Sequence, residues 1–233
     1  MHRTVASLKG GLIVSCQADP GDPLYGVVHM VAMARAARVG GAVAILTNGP
    51  LDLRAIREAV PLPVIGIVKR RYEGSPVYIT PTVDEVRAVV AAGADIVAVD
   101  LTARPRPDGR SRAEFLAQIR AEFPGLPIMA DISTLEEGLA AAELGMDLIS
   151  TTLSGYTPYS PQQEEPDLGL VEALAQRANV PVVAEGRISS PQEARWAIEF
   201  GAFAVVVGTA ITRPQKVTAW YAQALRGAGH MGG

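Results

Sequence analysis

The chain has 233 residues, 48% of them hydrophobic and 19% charged, with a formal net charge of −3. That length holds one large core or two modest ones, and scattered Lys and Arg give no basic stripe to follow a nucleic-acid backbone. A single cysteine, Cys16, excludes an internal disulfide, and the amino terminus MHRTVASLKGG has no apolar signal core, so a cytoplasmic protein is expected.

Eight short β-branched runs, bounded by Gly, Pro or Asp, follow one another along the chain. They are GLIVSC from Gly11, AVAILT from Ala42, VIGIVK from Val64, DIVAVD from Asp95, PIMADI from Pro127, DLISTT from Asp147, PVVAEG from Pro181 and AVVVGT from Ala204. None alternates cleanly between apolar and polar, which predicts parallel strands covered on both faces by helices. The segments between them carry helix signals. Thr82 with Glu85, Ser111 with Glu114 and Ser190 with Glu193 have capping-box spacing, and Pro191 suits a first helical position. Gly93, Gly145 and Gly201 close apolar helical stretches two or three residues before the next run, as left-handed helix stops do. The longest uncharged apolar run, Gly201 to Thr212, is well short of the roughly 18 to 20 residues that span a bilayer, so no membrane segment is expected. The end, 227–233, is expected to fray.

Eight strands alternating with helices predict one (β/α)8 TIM barrel domain over 1–233. The alternative is a doubly wound open sheet, which would have fewer strands and carry a glycine-rich dinucleotide fingerprint after the first one; CQADPGDPLYG is not that fingerprint.

In a barrel the carboxyl ends of the strands form one rim, where the chemistry sits. Those ends carry Gln17, Lys69, Asp100, Asp131, Thr151, Thr152, Glu185, Gly208 and Thr209. Singly, each reads as an ordinary solvated strand end or a cap. Glu185 is harder to dismiss, because it precedes the glycine that should start the turn. The third and seventh strands lie four apart in a ring of eight and alternate strands share a side-chain layer, so Lys69 and Glu185 can face each other across the mouth. Two proton-transferring groups on opposite sides of one carbon are what inversion of stereochemistry requires. Burial and the adjacent cations Arg70 and Arg71 are expected to lower the Lys69 pKa. The turns after the seventh and eighth strands, with Gly186, Arg187, Gly208, Thr209 and Arg213, form the corner where barrels hold phosphate. His2, His29 and His230 are dispersed and no Cys/His cluster has ligand spacing, so no metal site is expected. Trp196, Trp220 and Tyr221 sit at helical positions and read as packing residues.

The strings GGLIVSCQA, IGIVKR, RPRP, TTLSGYT, EEPDL, AEGR and VGTAITRP, spread from residue 10 to 214, resemble those of bacterial N-acetylmannosamine-6-phosphate 2-epimerases. The resemblance implies interconversion of N-acetylmannosamine 6-phosphate and N-acetylglucosamine 6-phosphate, without cofactor or metal, by a homodimer used in sialic acid and amino-sugar metabolism. It implies proton transfer by Lys69 and Glu185, and substrate contacts from Gln17, Asp131 and Arg213. Two positions depart from the family pattern: Leu46 stands where an arginine is expected, and Ala103 replaces a polar residue, which leaves an epimerase or isomerase of a related acylamino or neutral sugar phosphate as an alternative. Two rivals stay open at this point. One is a barrel that binds sugar phosphate without turning it over, which Leu46 favours; the other is a different phosphate-binding barrel enzyme, such as an isomerase or decarboxylase.

Overall fold

The computed structural model describes residues 1–228. A short helix α1 (Arg3–Ala6) leads into β1 (Leu12–Cys16), α2 (Val27–Val39), β2 (Ala44–Asn48), α3 (Pro50–Ala59) and β3 (Val64–Ile67). There follow α4 (Val83–Ala91), β4 (Ile96–Asp100), α5 (Arg112–Glu122), β5 (Ile128–Asp131), α6 (Leu135–Glu143) and β6 (Leu148–Ser150). The last quarter contains α7 (Leu168–Arg177), β7 (Val182–Glu185), α8 (Pro191–Glu199), β8 (Ala204–Val207), α9 (Thr209–Thr212) and α10 (Pro214–Ala228). Each strand pairs in parallel with the next, and β8 pairs back onto β1 through Leu12↔Val205, Ile13↔Val206 and Val14↔Val207. The sheet is therefore a closed eight-stranded barrel, and the open-sheet alternative is excluded.

Strand alternation sorts the apolar side chains into two cores. Ile13, Ala44, Leu46, Ile65, Ile67, Ile96, Ala98, Met129, Leu148, Val183, Ala204 and Val206 fill the barrel interior, with Val5 and Leu8 added beneath them from the segment around α1. The intervening residues, such as Val14, Ile45, Val64, Val97 and Ile128, pack outward against helix residues including Leu53, Phe115 and Leu174. Gly66 belongs to the outward set: a Cβ there would lie 2.5 Å from Leu53 Cδ1 and 3.1 Å from Val89 Cβ, so the absence of a side chain lets helices sit against β3.

All three capping boxes form, at Thr82, Ser111 and Ser190, and Pro191 opens α8. Gly93, Gly145 and Gly201 take φ of +97°, +75° and +99°, the left-handed stops their position implied. Between β3 and α4 the chain does something its pattern does not announce. Lys69 bridges Ile79 and Tyr72 bridges Ser75 in antiparallel fashion, so residues 69–79 double back as an irregular hairpin over the rim. Lys69 thus lies two residues beyond β3 rather than within it. Helix α10 continues through Ala228, taking in the first two residues of the expected tail; 229–233 lie outside the described residues. Trp196, Trp220 and Tyr221 do not pack in the core: they are 43%, 43% and 72% exposed on the outer helices. Among the described residues no helix is long and apolar enough to cross a membrane.

Candidate active site

Inward parity continues past the strand ends, but the residue type changes. Ile65 and Ile67 are followed by Lys69, Ala98 by Asp100, Met129 by Asp131, Leu148 by Ser150 and Thr152, and Val183 by Glu185. The apolar filling ends and a polar layer begins. Above it opens a cavity of about 660 Å³. Gln17, Lys69, Asp131, Glu185, Gly186, Arg187, Gly208, Thr209 and Arg213 all line it, so every site residue expected from the sequence arrives in one place. Asp100 stays just outside, buried and held by Arg104 at 2.6 Å and by the Thr102 hydroxyl at 2.7 Å.

Lys69 is positioned by its backbone, whose N–H donates to Asn48 Oδ1 at 2.8 Å at the end of β2. Its side chain lines the cavity. Lost hydration lowers its pKa, with Asp19, Glu185 and Asp131 pulling the other way and Arg213 adding to the decrease. The expected cations are engaged elsewhere: Arg70 pairs with Glu85 at 2.9 Å, and Arg71 lies over the Tyr78 ring. The cation that acts on Lys69 is Arg213, about 140 positions later, which proximity along the chain could not reveal.

Glu185 Oε2 lies 2.9 Å from Thr152 Oγ1 and 3.2 Å from Ser150 Oγ. Burial raises its pKa, and the two hydroxyls and the Lys69 charge oppose the rise. Asp131 is 2% exposed and also lies 2.9 Å from Thr152 Oγ1. Burial and then the Glu185 charge push its carboxyl well above the usual carboxylate range, against the Thr152 hydrogen bond.

Immediately after Glu185 the backbone turns through two left-handed residues, Gly186 at φ +110° and Arg187 at φ +60°. The Arg187 guanidinium ties two loops, donating to Ser154 O at 2.7 Å and Glu165 O at 2.9 Å. Gly208 lies close over β1, where a Cβ would meet Ser15 Cβ at 3.3 Å, and α9 starts at Thr209. The N–H groups of Ile211 and Thr212 both donate to Gly208 O, at 2.9 Å each. Arg213 pairs with Asp19 at 2.8 Å and approaches Asp22 at 3.7 Å. Gln17 donates Nε2 to Ser15 Oγ at 2.9 Å, while its buried Oε1 has no hydrogen-bond partner.

Leu46 lines the cavity with Ile67, Ile79 and Val206 as an apolar wall, whereas Ala103 is exposed and spends its N–H on Glu137 Oε1. Asp19 and Tyr78 are lining residues that sequence reasoning missed, and Trp220, expected to be a packing residue, lines the cavity as well. Asp19 was within reach as an acid two positions past Gln17; Tyr78 depends on the hairpin. Among the described residues no cluster of three or more His, Cys, Asp or Glu side chains is arranged to hold a metal ion.

A family model described as "Putative N-acetylmannosamine-6-phosphate epimerase" matches residues 30–227. A Caldanaerobacter subterraneus protein described as "Putative N-acetylmannosamine-6-phosphate 2-epimerase" is 57% identical over 214 residues, 92% of this chain and 90% of its own length. A Cutibacterium acnes protein with the same description is 49% identical over 226 residues, 96% of this chain and 97% of its own. The solved N-acetylmannosamine-6-phosphate 2-epimerase from Clostridium perfringens superposes with a TM-score of 0.92 at 46% identity, covering 96% of both chains. Matches that run nearly end to end, in sequence and in backbone alike, place the chain in the N-acetylmannosamine-6-phosphate epimerase family.

Proposed function

We propose that the protein is an isomerase that inverts C2 of N-acetylmannosamine 6-phosphate to give N-acetylglucosamine 6-phosphate, and the reverse. The observation that carries this reading is the convergence of Lys69 and Glu185, from β3 and β7 on opposite sides of the closed barrel, on one cavity. Ring opening exposes a C1 aldehyde next to C2 and makes the C2 hydrogen acidic. In one direction the Glu185 carboxylate removes that proton from one face, and the Lys69 ammonium returns a proton to the other; the opposite direction exchanges the roles. Activation comes from the substrate's own carbonyl, so the reaction calls for no nicotinamide and no metal.

The remaining residues supply binding. Gln17, with its unpaired buried oxygen, accepts a hydrogen bond from a substrate N–H or O–H. Asp131 contacts the sugar beside the acid–base pair. The turns at Gly186 and Arg187 and at Gly208 and Thr209 take the phosphate, and Arg213 exchanges part of its pairing with Asp19 for the phosphate charge. A phosphorylated substrate is kept inside the cell by its charge, which supports a cytoplasmic enzyme of amino-sugar metabolism.

Deuterium tests the reaction directly. With N-acetylglucosamine 6-phosphate in D2O, NMR should show label entering C2 as the manno epimer forms. Lys69→Ala should abolish the exchange, a loss of at least about 10²-fold, and leave phosphate-dependent binding in place. Wild-type turnover by that variant would remove Lys69 from the mechanism, and binding without exchange by the native protein would mark a sensor instead.

The reading also takes 1–233 as one domain and the working form as a homodimer. Tyr221 and Leu225, 72% and 76% exposed and four positions apart on α10, leave apolar surface in water. Sedimentation equilibrium should give twice the chain mass, and a monomer at micromolar concentration would end the dimer proposal.

A further inference from the structure

Two carboxyl groups at the cavity floor converge on a single hydroxyl, and if both are ionised its one proton can serve only one of them. Thr152 Oγ1 lies 2.9 Å from Asp131 Oδ1, 2.9 Å from Glu185 Oε2 and 2.7 Å from Ser150 Oγ. Ser150 Oγ in turn lies 3.2 Å from Glu185 Oε2. Each hydroxyl has one proton to give and a carboxylate has none. Two ionised carboxylates around the single Thr152 proton would leave one of them facing a bare lone pair, with Asp131 only 2% exposed to solvent, an expensive arrangement. One additional proton lets both acids hydrogen-bond to Thr152: a protonated Asp131 donates to Thr152, Thr152 donates to Glu185, and Ser150 donates its own proton alongside, three protons serving three of the four contacts.

The surroundings decide which carboxyl carries it. Asp131 pairs in register with Asp100 on β4 and faces Glu185 across Thr152, so it lies between two acids. Asp100 already holds Arg104 at 2.6 Å, and Asp131 has no ion-pair partner among the described residues. Lys69 acts on both Asp131 and Glu185, and Tyr78 and Asp100 are the other titratable groups that face Asp131. Two interacting acids that share one proton titrate as a pair.

We propose that Thr152 is the bridge through which Asp131 and Glu185 share a single proton in the resting enzyme, and that this proton resets the acid–base pair between turnovers. The proposal rests on the reading of Lys69 and Glu185 as that pair. At rest Asp131 is protonated, Glu185 is ionised and Lys69 is an ammonium. After one turnover Glu185 holds the proton taken from C2, and Lys69, having given its proton to the opposite face, is a neutral amine. Asp131 then releases its proton through cavity water to the Lys69 amine. The Glu185 proton moves to the Thr152 oxygen while the Thr152 proton moves to Asp131. Every proton is accounted for and the starting state returns without outside acid or base. Thr152 is a positioning residue in this scheme; it need not touch the sugar.

Thr152→Val keeps the side-chain shape and deletes the hydroxyl, and Thr152→Ser restores it. The test follows the carboxyl carbons of 13C-labelled Asp and Glu in the substrate-free protein across pH, with Asp131→Asn and Glu185→Gln giving the assignments. In the native protein and in Thr152→Ser, the Asp131 carboxyl should remain protonated at pH 7 and the two groups should titrate together; in Thr152→Val the two titrations should separate. In turnover, Thr152→Val should lower kcat by about 10²-fold with KM unchanged, and Thr152→Ser should recover it. Both carboxyls ionised in the native protein at pH 7, or a Thr152→Val variant that titrates and turns over like the native one, overturns the bridge. Should Thr152→Val fail to fold, the native titration alone decides. Native exchange rates in Glu185→Gln would instead overturn the acid–base reading, an outcome the substrate-free titration is independent of.

Discussion

Asp131 is almost fully buried between two other acids, and that fixes the sign of a pH effect on stability. Its pKa is raised in the folded protein by burial first and by Glu185 second. An unfolded chain would ionise Asp131 at about 3.9. Above that pH the unfolded state has lost the proton and the folded state still holds it, so stability falls as pH rises until the folded group ionises too. An amide in the same place carries no charge at any pH. Asp131→Asn should therefore raise the thermal midpoint at pH 7 and change it little at pH 4, while catalytic activity drops. Melting curves at the two pH values check this; an equal gain at both, or a loss at pH 7, would show that Asp131 is folded as an ordinary carboxylate. A position that costs stability and sits at the chemistry is where a local rule is broken for function.

At the scale of elements, what could be read from the chain is what depends on neighbours in sequence. The boxes at Thr82, Ser111 and Ser190 and the left-handed glycines at 93, 145 and 201 are short-range devices, and each formed where its spacing placed it. The facing of Lys69 and Glu185 was legible from strand order, the third and seventh of eight sharing a layer across the mouth, while the role of Asp131 came only with the family resemblance. The hairpin over the rim was not legible. Its residues KRRYEGSPVY lack alternation, and its hydrogen bonds are long-range: Asp100 N donates to Ile79 O at 2.9 Å and Thr80 N to Val68 O at 2.7 Å. Thr80 even takes a left-handed backbone, φ +45°. The buried guanidinium of Arg106 fastens that segment, donating to Pro81 O at 2.7 Å and to Asp100 O at 2.6 Å while it stacks on Phe115. None of these partners is within four residues, so no local pattern announces the hairpin that Lys69 opens. The same distance hid Arg213 as the cation that acts on Lys69 and put Arg70 and Arg71 in its place.

The closed sheet separates the molecule into an end for chemistry and an end for stability. The carboxyl rim carries the cavity, while the amino end of the barrel is sealed by the segment around α1, whose Val5 and Leu8 are 1% and 0% exposed and join the interior apolar set. Strand count and connection pattern made the barrel legible, but not this plug. A four-residue helix with only Val5 buried has too few turns to show a periodic face. Removing the Leu8 side chain takes contacts from the floor of the interior and leaves a space that the close-packed strands above cannot fill. Leu8→Ala should thus destabilise the fold by about 2–5 kcal/mol, a loss of roughly 4 to 20 °C in thermal midpoint at about 2–4 °C per kcal/mol for a chain of this size. Because the polar layer lies at the other end of the strands, kcat per folded molecule at 25 °C should match the native enzyme. Denaturant unfolding measures the first effect and the C2 exchange rate, normalised to the folded fraction, the second. A variant of native stability would show that the plug does not seal the barrel, and a stable variant with a damaged rate would show that the two ends are coupled through the interior column.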